Sequence, residues 1–137
     1  MTSAPEARPR LQITQRFLDA LDALERDRSV RAMQALFSDT ARLSRLGRPA
    51  ERGRAGVGRF WTEYLEQFGD HVESEFSRII ETDLVVTLEW TTKGQRSSTR
   101  PISYSGVSLF EFDRDEIVDF RTYYDSAAFL TDPPTRP

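Results

Sequence analysis

The amino-acid sequence predicts an α+β domain in which helices pack on one face of an antiparallel sheet. Up to Gly69, apolar residues recur at intervals of three and four, which is the period of amphipathic helices. After Gly69 the period becomes two, as in strands that are buried on one side. Helices that precede a run of strands, instead of alternating with them, are typical of α+β architecture.

Three helices are predicted in the first half of the chain. The first spans residues 11–27, and one stripe of it is apolar: Ile13, Phe17, Leu21 and Leu24. A second, short helix follows Ser29, whose hydroxyl is suited to cap it. An extended segment at residues 41–46 and an exposed, mobile loop rich in glycine and arginine at residues 47–56 lead to a third helix at residues 57–68.

Four long strands are predicted in the second half. They span residues 71–81, 84–93, 101–112 and 117–125. Asp125 precedes Ser126-Ala127-Ala128-Phe129, and we expect its carboxylate to cap a final helical turn. One domain is therefore expected over residues 11–130, with residues 1–10 and 131–137, both containing proline, as flexible tails.

Composition excludes several classes of function. The chain has 137 residues, no cysteine and one histidine, so thiolate catalysis and zinc sites of cysteine or histidine are excluded. The net charge is −3 and the arginines are scattered among 22 acidic residues, so we expect no nucleic-acid partner. We also expect no cofactor and no membrane contact. The first ten residues lack the apolar stretch of a secretory signal, which predicts a cytoplasmic protein.

Several segments, in this order and spacing, carry a family resemblance. They are Ala35-Leu36-Phe37-Ser38-Asp39-Thr40-Ala41, Gly56-Val57-Gly58-Arg59-Phe60-Trp61, and the closing runs at residues 106–112 and 117–125. Over residues 11–130 the chain resembles the nuclear transport factor 2-like superfamily, and its SnoaL-like branch in particular. The resemblance implies that the sheet curves into an open cone around a ligand pocket. It also implies a homodimer formed through the convex face of the sheet.

The direction of each strand's side chains decides what lines the pocket. We assign the aromatic rows of the last two strands to the concave side. For the strand at residues 84–93, the resemblance to the family then implies which side chains face the pocket: Val85, Thr87, Glu89 and Thr91. It leaves an apolar row on the convex side, which predicts the dimer interface: Leu84, Val86, Leu88, Trp90, Val107 and Leu109. Alternation within residues 84–93 alone favours the opposite, with this row in the core and Glu89 in solvent.

The pocket is expected to hold a small apolar molecule. The predicted ligand-binding residues are Arg42, Phe60, Trp61, Tyr64, Tyr104, Phe110, Phe120, Thr122 and Tyr124. Glu89 is the candidate catalytic residue, because apolar walls raise the pKa of a carboxyl group and suit it to acid–base chemistry. The structural alternative pairs a buried Glu89 with Arg42 or Ser44.

Three functions remain open from the sequence. The first is binding of an apolar, polyketide-like or steroid-like molecule. The second is a cofactor-free isomerase, cyclase or dehydratase that uses Glu89, and the third is a non-catalytic dimeric interaction module with a filled cavity. The catalytic arginine and aspartates of limonene epoxide hydrolase would fall at Glu89, Thr91 and Thr122. A threonine hydroxyl is too weak a base to activate water, so that mechanism is not expected.

Overall fold

The computed structural model describes residues 8–69, 71–96 and 100–129 and confirms the α+β class. The helices are α1 (Gln12–Asp27), α2 (Arg31–Leu36), α3 (Gly53–Glu66) and the 3-10 helix η1 (Ser126–Phe129). The strands are β1 (Phe37–Arg45), β2 (Glu51–Arg52), β3 (Val72–Glu81), β4 (Val85–Gln95), β5 (Pro101–Asp113) and β6 (Glu116–Tyr124). Most of both predicted tails lies outside the described residues. Within these residues, no helix is long and apolar enough to cross a membrane.

The six strands form one open sheet in the order β2-β1-β6-β5-β4-β3. The sheet is mixed, not antiparallel throughout as predicted, because β1 runs parallel to β6. The remaining neighbours are antiparallel. In the parallel pair, Leu43 lies opposite Phe120 and Arg45 lies opposite Thr122. The first strand therefore brings its last residues to the end of β6.

The predicted apolar stripe of α1 is confirmed, since all four of its residues are buried against the inner face of the sheet. The ring of Phe17 lies 5.5 Å from that of Phe110 and 5.6 Å from that of Phe120, between centroids. It also lies 6.2 Å from the ring of Trp61 on α3. Full burial of each such side chain contributes about 1.5–3 kcal/mol to folding. The core therefore lies between the helices and one face of the sheet.

Both ends of α1 are held by other elements. The carboxylate of Glu81 on β3 accepts hydrogen bonds of 2.8 Å from the backbone N–H groups of Arg10 and Leu11. At the other end, the guanidinium of Arg28 donates to the carbonyls of Leu65 and Gly69, each at 3.0 Å. The Leu11 N–H is one of the backbone groups that the start of α1 leaves without a partner inside the helix. Together these bonds fix α1 relative to α3 and β3.

The segment before α3 differs from the prediction. Instead of an exposed loop over residues 47–56, Glu51 and Arg52 form β2 and pair with β1. The third helix then begins at Gly53, whose φ of +72° suits glycine. The helix ends at Glu66, before the predicted end at residue 68. The Gly69 N–H donates to the Gln95 carbonyl at 2.6 Å.

The family register assigned to β4 is wrong, and the alternative from alternation is correct. Val86, Leu88, Trp90 and Thr92 are buried on the inner face, so the predicted convex patch does not exist in that form. Trp90 lies directly opposite Gly106, and opposite residues of an antiparallel pair share one face. The aromatic rows assigned to the concave side do face inward, and Val107 and Leu109 lie outside as expected. At the start of β6 the pairing with β5 shifts its register, so that Ile117 and not Val118 is the fully buried residue.

Candidate functional site

A small cavity lies between α1, α3 and the inner face of the sheet, with a volume of about 50 Å³. Its apolar walls are Phe17, Leu21, Phe60, Trp61, Tyr64, Phe76, Trp90, Tyr104, Phe120 and Tyr124. Its polar lining is Arg45, Gln67, Ser74, Thr92, Ser108 and Thr122. This volume admits a few water molecules or one end of a ligand. We call it the inner cavity.

The inner cavity adjoins a wider space of about 460 Å³, which we call the mouth. The mouth is lined by Arg45, Leu46, Gly47, Arg48, Gln67, Arg96, Thr122, Tyr124, Ser126 and Phe129. Arg45, Gln67, Thr122 and Tyr124 line both spaces. The two spaces therefore lie next to each other, and we call them together the funnel. The mouth has the size of a small-molecule site, for which about 300–1,000 Å³ is typical.

A line of hydrogen bonds runs across the inner face of the sheet to the funnel. The Trp90 indole N–H donates to Ser108 Oγ at 2.9 Å. The hydroxyls of Ser108 and Thr122 lie 2.8 Å apart, and both are buried. The indole fits because Gly106 has no side chain, since a Cβ there would lie 2.7 Å from the Trp90 ring. The Ser108–Thr122 pair thus offers hydroxyl groups within apolar walls.

A second polar group contains the interior carboxylate of Glu25, from α1. Its Oε2 accepts hydrogen bonds from the Tyr64 hydroxyl at 2.5 Å and from Ser74 Oγ at 2.7 Å, and Oε1 accepts the Ser74 N–H at 3.1 Å. Ser74 Oγ also lies 2.7 Å from Thr92 Oγ1. Burial raises the pKa of Glu25 above its ordinary value, against the hydrogen bonds from Tyr64 and Ser74, which lower it. Glu25 reaches the inner cavity through these partners.

Tyr64 and Tyr104, two of the three tyrosines that line the inner cavity, are held in the neutral form. Burial, and then the nearby Glu25 carboxylate, raises the pKa of Tyr64 well above its ordinary value. Burial also raises the pKa of Tyr104, and the neighbouring Tyr124 adds to this effect. The Tyr104 ring packs 4.7 Å from that of Phe129, which lines the mouth. Both phenols are therefore hydrogen-bond donors at neutral pH.

Most predicted ligand-binding residues do line the inner cavity. These are Phe60, Trp61, Tyr64, Tyr104, Phe120, Thr122 and Tyr124. Phe110 is fully buried and packs behind Phe17, outside the lining. The predicted capping role of Asp125 is confirmed, because its Oδ1 accepts the Ala127 N–H at 2.9 Å.

The predicted positions of Glu89 and Arg42 in the pocket are wrong. The Glu89 side chain is 43% exposed on the outer face of the sheet, with its carboxylate 4.0 Å from the Arg78 guanidinium. Arg42 also lies on the outer face, 3.9 Å from Asp119. Both errors come from assigning the wrong face of a strand. Successive residues of a strand point to opposite faces, and the neighbours of Glu89 and Arg42 along their strands are the residues that face the helices. A Glu89 in this position cannot act as the base of an enclosed pocket.

The sequence prediction missed Glu25 and Arg45. Glu25 lies four residues after Leu21, at the edge of the apolar stripe of α1, and this spacing was a signal that it faces inward. Its partners come from α3 and β3, which the sequence pattern does not indicate. Arg45 could have been found from parity, because Leu43 is an inward apolar residue two positions earlier. Among the residues that the structure describes, no three acidic or histidine side chains come together as a metal site.

An open mixed sheet covered by helices, with aromatic side chains packed between the layers, defines an NTF2-like fold. More specifically, the chain belongs to the SnoaL-like domain family, whose sequence model matches residues 14–120. A search among curated proteins finds no match.

Solved structures share this fold at low sequence identity. An NTF2-like protein from Anabaena variabilis is 13% identical with a TM-score of 0.75, covering 84% of this chain and 88% of its own. A SnoaL-like polyketide cyclase, described as putative, from Jannaschia is 14% identical with a TM-score of 0.71, covering 89% and 94%. An LEH-like epoxide hydrolase from M. tuberculosis is 18% identical with a TM-score of 0.68, covering 88% and 89%. At these identities the similarity shows the fold alone.

Proposed function

We propose that this chain binds a small, mainly apolar molecule in the funnel. The observation that carries the proposal is an aromatic inner cavity that shares four lining residues with the larger mouth. Aromatic walls supply apolar contact area, and a few enclosed polar groups orient a ligand. Here those groups are the hydroxyls of Ser108 and Thr122 and the amide of Gln67.

The two volumes restrict how such a ligand lies. About 50 Å³ in the inner cavity accepts only one end of the molecule, while about 460 Å³ in the mouth accepts its body. A flat, multi-ring molecule of the polyketide or steroid class suits a narrow aromatic slot below a wider entrance. Membership of the SnoaL-like domain family is the reason for naming this class, since a structure described as a putative polyketide cyclase is also called SnoaL-like.

The test uses the neutral dye N-phenyl-1-naphthylamine and a matched pair of variants. Both tryptophans of the chain, Trp61 and Trp90, line the inner cavity, so dye bound there should quench their fluorescence. Thr122→Phe fills the junction of the two spaces and should weaken dye binding roughly tenfold or more, about 1.4 kcal/mol. Thr91→Phe makes the same change on the outer face and should leave binding unchanged.

The outcome separates ligand binding from the alternative of a filled cavity. If the wild-type protein binds no dye, the proposal fails and the non-catalytic interaction module is favoured. If Thr122→Phe remains folded, by circular dichroism, and binds dye as the wild type does, the dye lies elsewhere and the funnel is not its site.

A second candidate is acid–base chemistry without a cofactor, as in an isomerase, cyclase or dehydratase. Glu25 replaces Glu89 as the interior carboxylate, and its hydrogen bond with Tyr64 supports this role. When Glu25 is ionised, the Tyr64 hydroxyl donates to it. When Glu25 carries a proton, that proton can be donated to the Tyr64 oxygen. The Tyr64 hydroxyl can then stabilise the oxyanion that develops when solvent water removes a proton from the carbon beside a substrate carbonyl, and water returns a proton to complete the isomerisation. Tyr64 would be the catalytic residue and Glu25 a positioning residue.

The steroid 5-androstene-3,17-dione tests this candidate, because its isomerisation produces a conjugated enone that is followed by absorbance. Tyr64→Phe should reduce turnover roughly 100-fold, the lower range for loss of one oxyanion donor. Tyr123→Phe removes a hydroxyl from the exposed outer face and should have no effect. Wild-type turnover no faster than buffer would argue against isomerisation of this substrate.

We further propose a homodimer through the outer face of the sheet, with an interface different from the one first predicted. Half-buried Val85, Val107 and Leu109 form its apolar centre, and the exposed side chains of Ile80 and Tyr123 extend it. Arg121, paired with Asp119 and Glu111, adds a charged border. An apolar strip on an open sheet face supports association.

A cytoplasmic location stays a prediction.

Sedimentation velocity tests the dimer. Leu109→Arg places a charge in the centre of the strip and should give monomers, because an unpaired buried charge is costly. Leu46→Arg, at an exposed position near the mouth, is the control and should leave the dimer intact. A dimer that persists in Leu109→Arg would contradict the proposed face.

A further inference from the structure

The mouth carries more positive than negative charge. Arg45, Arg48 and Arg96 all line it. Glu63 lies 3.9 Å from Arg45 and 3.0 Å from Arg48. Arg96 donates to the backbone carbonyl of Phe129 at 2.9 Å, an uncharged partner. Among the described residues, the ion pairs of these three arginines therefore involve a single carboxylate. The mouth can accept a further negative charge without losing an existing ion pair.

Arg45 is the most informative of the three, because it is buried and borders both the inner cavity and the mouth. Its side chain is only 8% exposed. The guanidinium has five N–H donors, and one of its nitrogens donates to the Phe60 carbonyl at 3.2 Å. The distance to Glu63 exceeds that of a hydrogen bond. A buried charge is costly unless it is paired and hydrogen-bonded, so this guanidinium is suited to an additional anionic partner.

The surroundings of Arg45 also hold it in place before any ligand binds. Its guanidinium lies over the Phe60 ring, 4.2 Å from the centroid, and bonds to the backbone of the same residue. Arg45 is the last residue of β1, and the parallel pairing with β6 sets it opposite Thr122. A planar guanidinium that is fixed in this way loses little conformational freedom when it binds a carboxylate.

The inner end of the funnel has the opposite character. Beyond Arg45 the walls are aromatic rings, with the apolar faces of Phe60, Trp61 and Phe120 packed against one another. Trp61 is almost fully buried, and its indole N–H has no hydrogen-bond partner among the described residues. A ligand whose apolar end carries a hydrogen-bond acceptor could pack against these rings and accept from the Trp61 N–H. Charge and apolar surface thus lie at opposite ends of the funnel.

We propose that the ligand is an apolar acid, whose carboxylate or comparably acidic oxygen binds Arg45 in the mouth with Arg48 and Arg96 around it. The apolar end points into the inner cavity. This inference rests on the proposed function, since it names the chemical class of the molecule that the funnel binds. It assigns Arg45 as the residue that selects acids over neutral molecules of the same shape.

A matched pair of probes tests the charge separately from the shape. The anion 2-naphthoate and the neutral 2-naphthamide have the same ring system and nearly the same size. Isothermal titration at neutral pH should give at least tenfold tighter binding of 2-naphthoate to the wild-type protein. That preference should shrink as salt is added, because screening weakens attraction at the partly exposed arginines.

Variants then assign the preference to Arg45. Arg45→Met keeps an unbranched apolar side chain and removes the charge, and it should weaken 2-naphthoate about tenfold or more while changing 2-naphthamide less than twofold. Arg31→Met removes a charge from an exposed position on α2 and should change neither value. If Arg45→Met does not fold, Arg48→Gln and Arg96→Gln at the mouth should each reduce binding of the anion selectively.

The outcomes are distinguishable. Equal binding of the two probes by the wild-type protein would overturn the anion preference and leave the proposed function intact. Loss of binding for both probes in a folded Arg45→Met would show that Arg45 shapes the funnel without selecting charge, and would also overturn the inference. If neither probe binds the wild type, the anion preference and the proposed function fail together.

Discussion

Replacement of Gly106 by alanine should destabilise the protein strongly, although it adds a single methyl group. A Cβ at this position would lie 2.4 Å from the Tyr123 carbonyl oxygen and 2.7 and 2.9 Å from two carbons of the Trp90 ring. The carbonyl belongs to the neighbouring strand β6 and cannot move without disturbing the pairing of β5 with β6. The Trp90 indole must therefore shift, together with its hydrogen bond to Ser108.

The magnitude follows from two contributions. Overpacking by one methyl group in a dense core costs about 1–3 kcal/mol. Loss of the Trp90–Ser108 hydrogen bond adds about 0.5–1.5 kcal/mol. Together these reduce the free energy of unfolding by about 1.5–4.5 kcal/mol, which for a chain of this length lowers Tm by roughly 10 °C.

Urea denaturation followed by circular dichroism measures this change, and the indole N–H resonance of Trp90 reports the local shift. Gly69→Ala is the control, because its Cβ would meet other atoms at an ordinary 3.6 Å. The control should stay within about 0.5 kcal/mol of the wild type. If Gly106→Ala melts within 2 °C of the wild type, roughly 0.5 kcal/mol, the tight contact between this glycine and the indole is refuted.

Two further predictions concern the acidic residues. The folded state raises the pKa of Glu25, so as pH rises the folded protein keeps the proton of this carboxyl group after the unfolded chain has released it. The wild type should therefore lose stability as pH rises above 4.5 and through the folded pKa. Glu25→Gln should remove this part of the pH dependence, and equal slopes of unfolding free energy against pH in the two proteins would contradict it. Glu89→Gln, on the outer face, should change stability by less than about 0.5 kcal/mol and leave dye binding unaltered; a clear loss of dye binding would return Glu89 to the site.

The helices and strands were predictable because local periodicity determines them. The stripe of α1 and the alternation of β4, β5 and β6 each reflect burial on one side, and the observed bounds differ from the predicted ones by a few residues. The short strand β2 was missed because two residues carry no periodicity. The early start of α3 at Gly53 was missed because glycine has low helix propensity.

The facing of the side chains of β4 was indicated better by the strand's own alternation than by the distant family resemblance. Val86, Leu88 and Trp90 alternate with polar residues, which by itself indicates that this row is buried. Transfer of register from the family reversed the strand, because a shift of one residue exchanges its two faces. The pairing of Trp90 with Gly106 would have corrected it, since the indole needs the space that a glycine leaves.

The polar part of the site was harder to predict than its aromatic walls. Rings such as Phe60, Trp61 and Phe120 are buried in any packing of these elements. Glu25, in contrast, gains its significance only when α1, α3 and β3 meet and provide Tyr64 and Ser74 as partners. Such tertiary hydrogen bonds leave no periodic trace in a sequence.

The parallel pairing of β1 with β6 bears on how the protein folds. Residues 46–115 lie between the two strands, so their contact closes a long loop, and we expect this contact to form late in folding. Arg45 comes from one of these strands, and Thr122 and Tyr124 come from the other. The entrance to the funnel is therefore complete only when β1 and β6 have paired. The time at which ligand affinity appears during refolding would report when this pairing is complete.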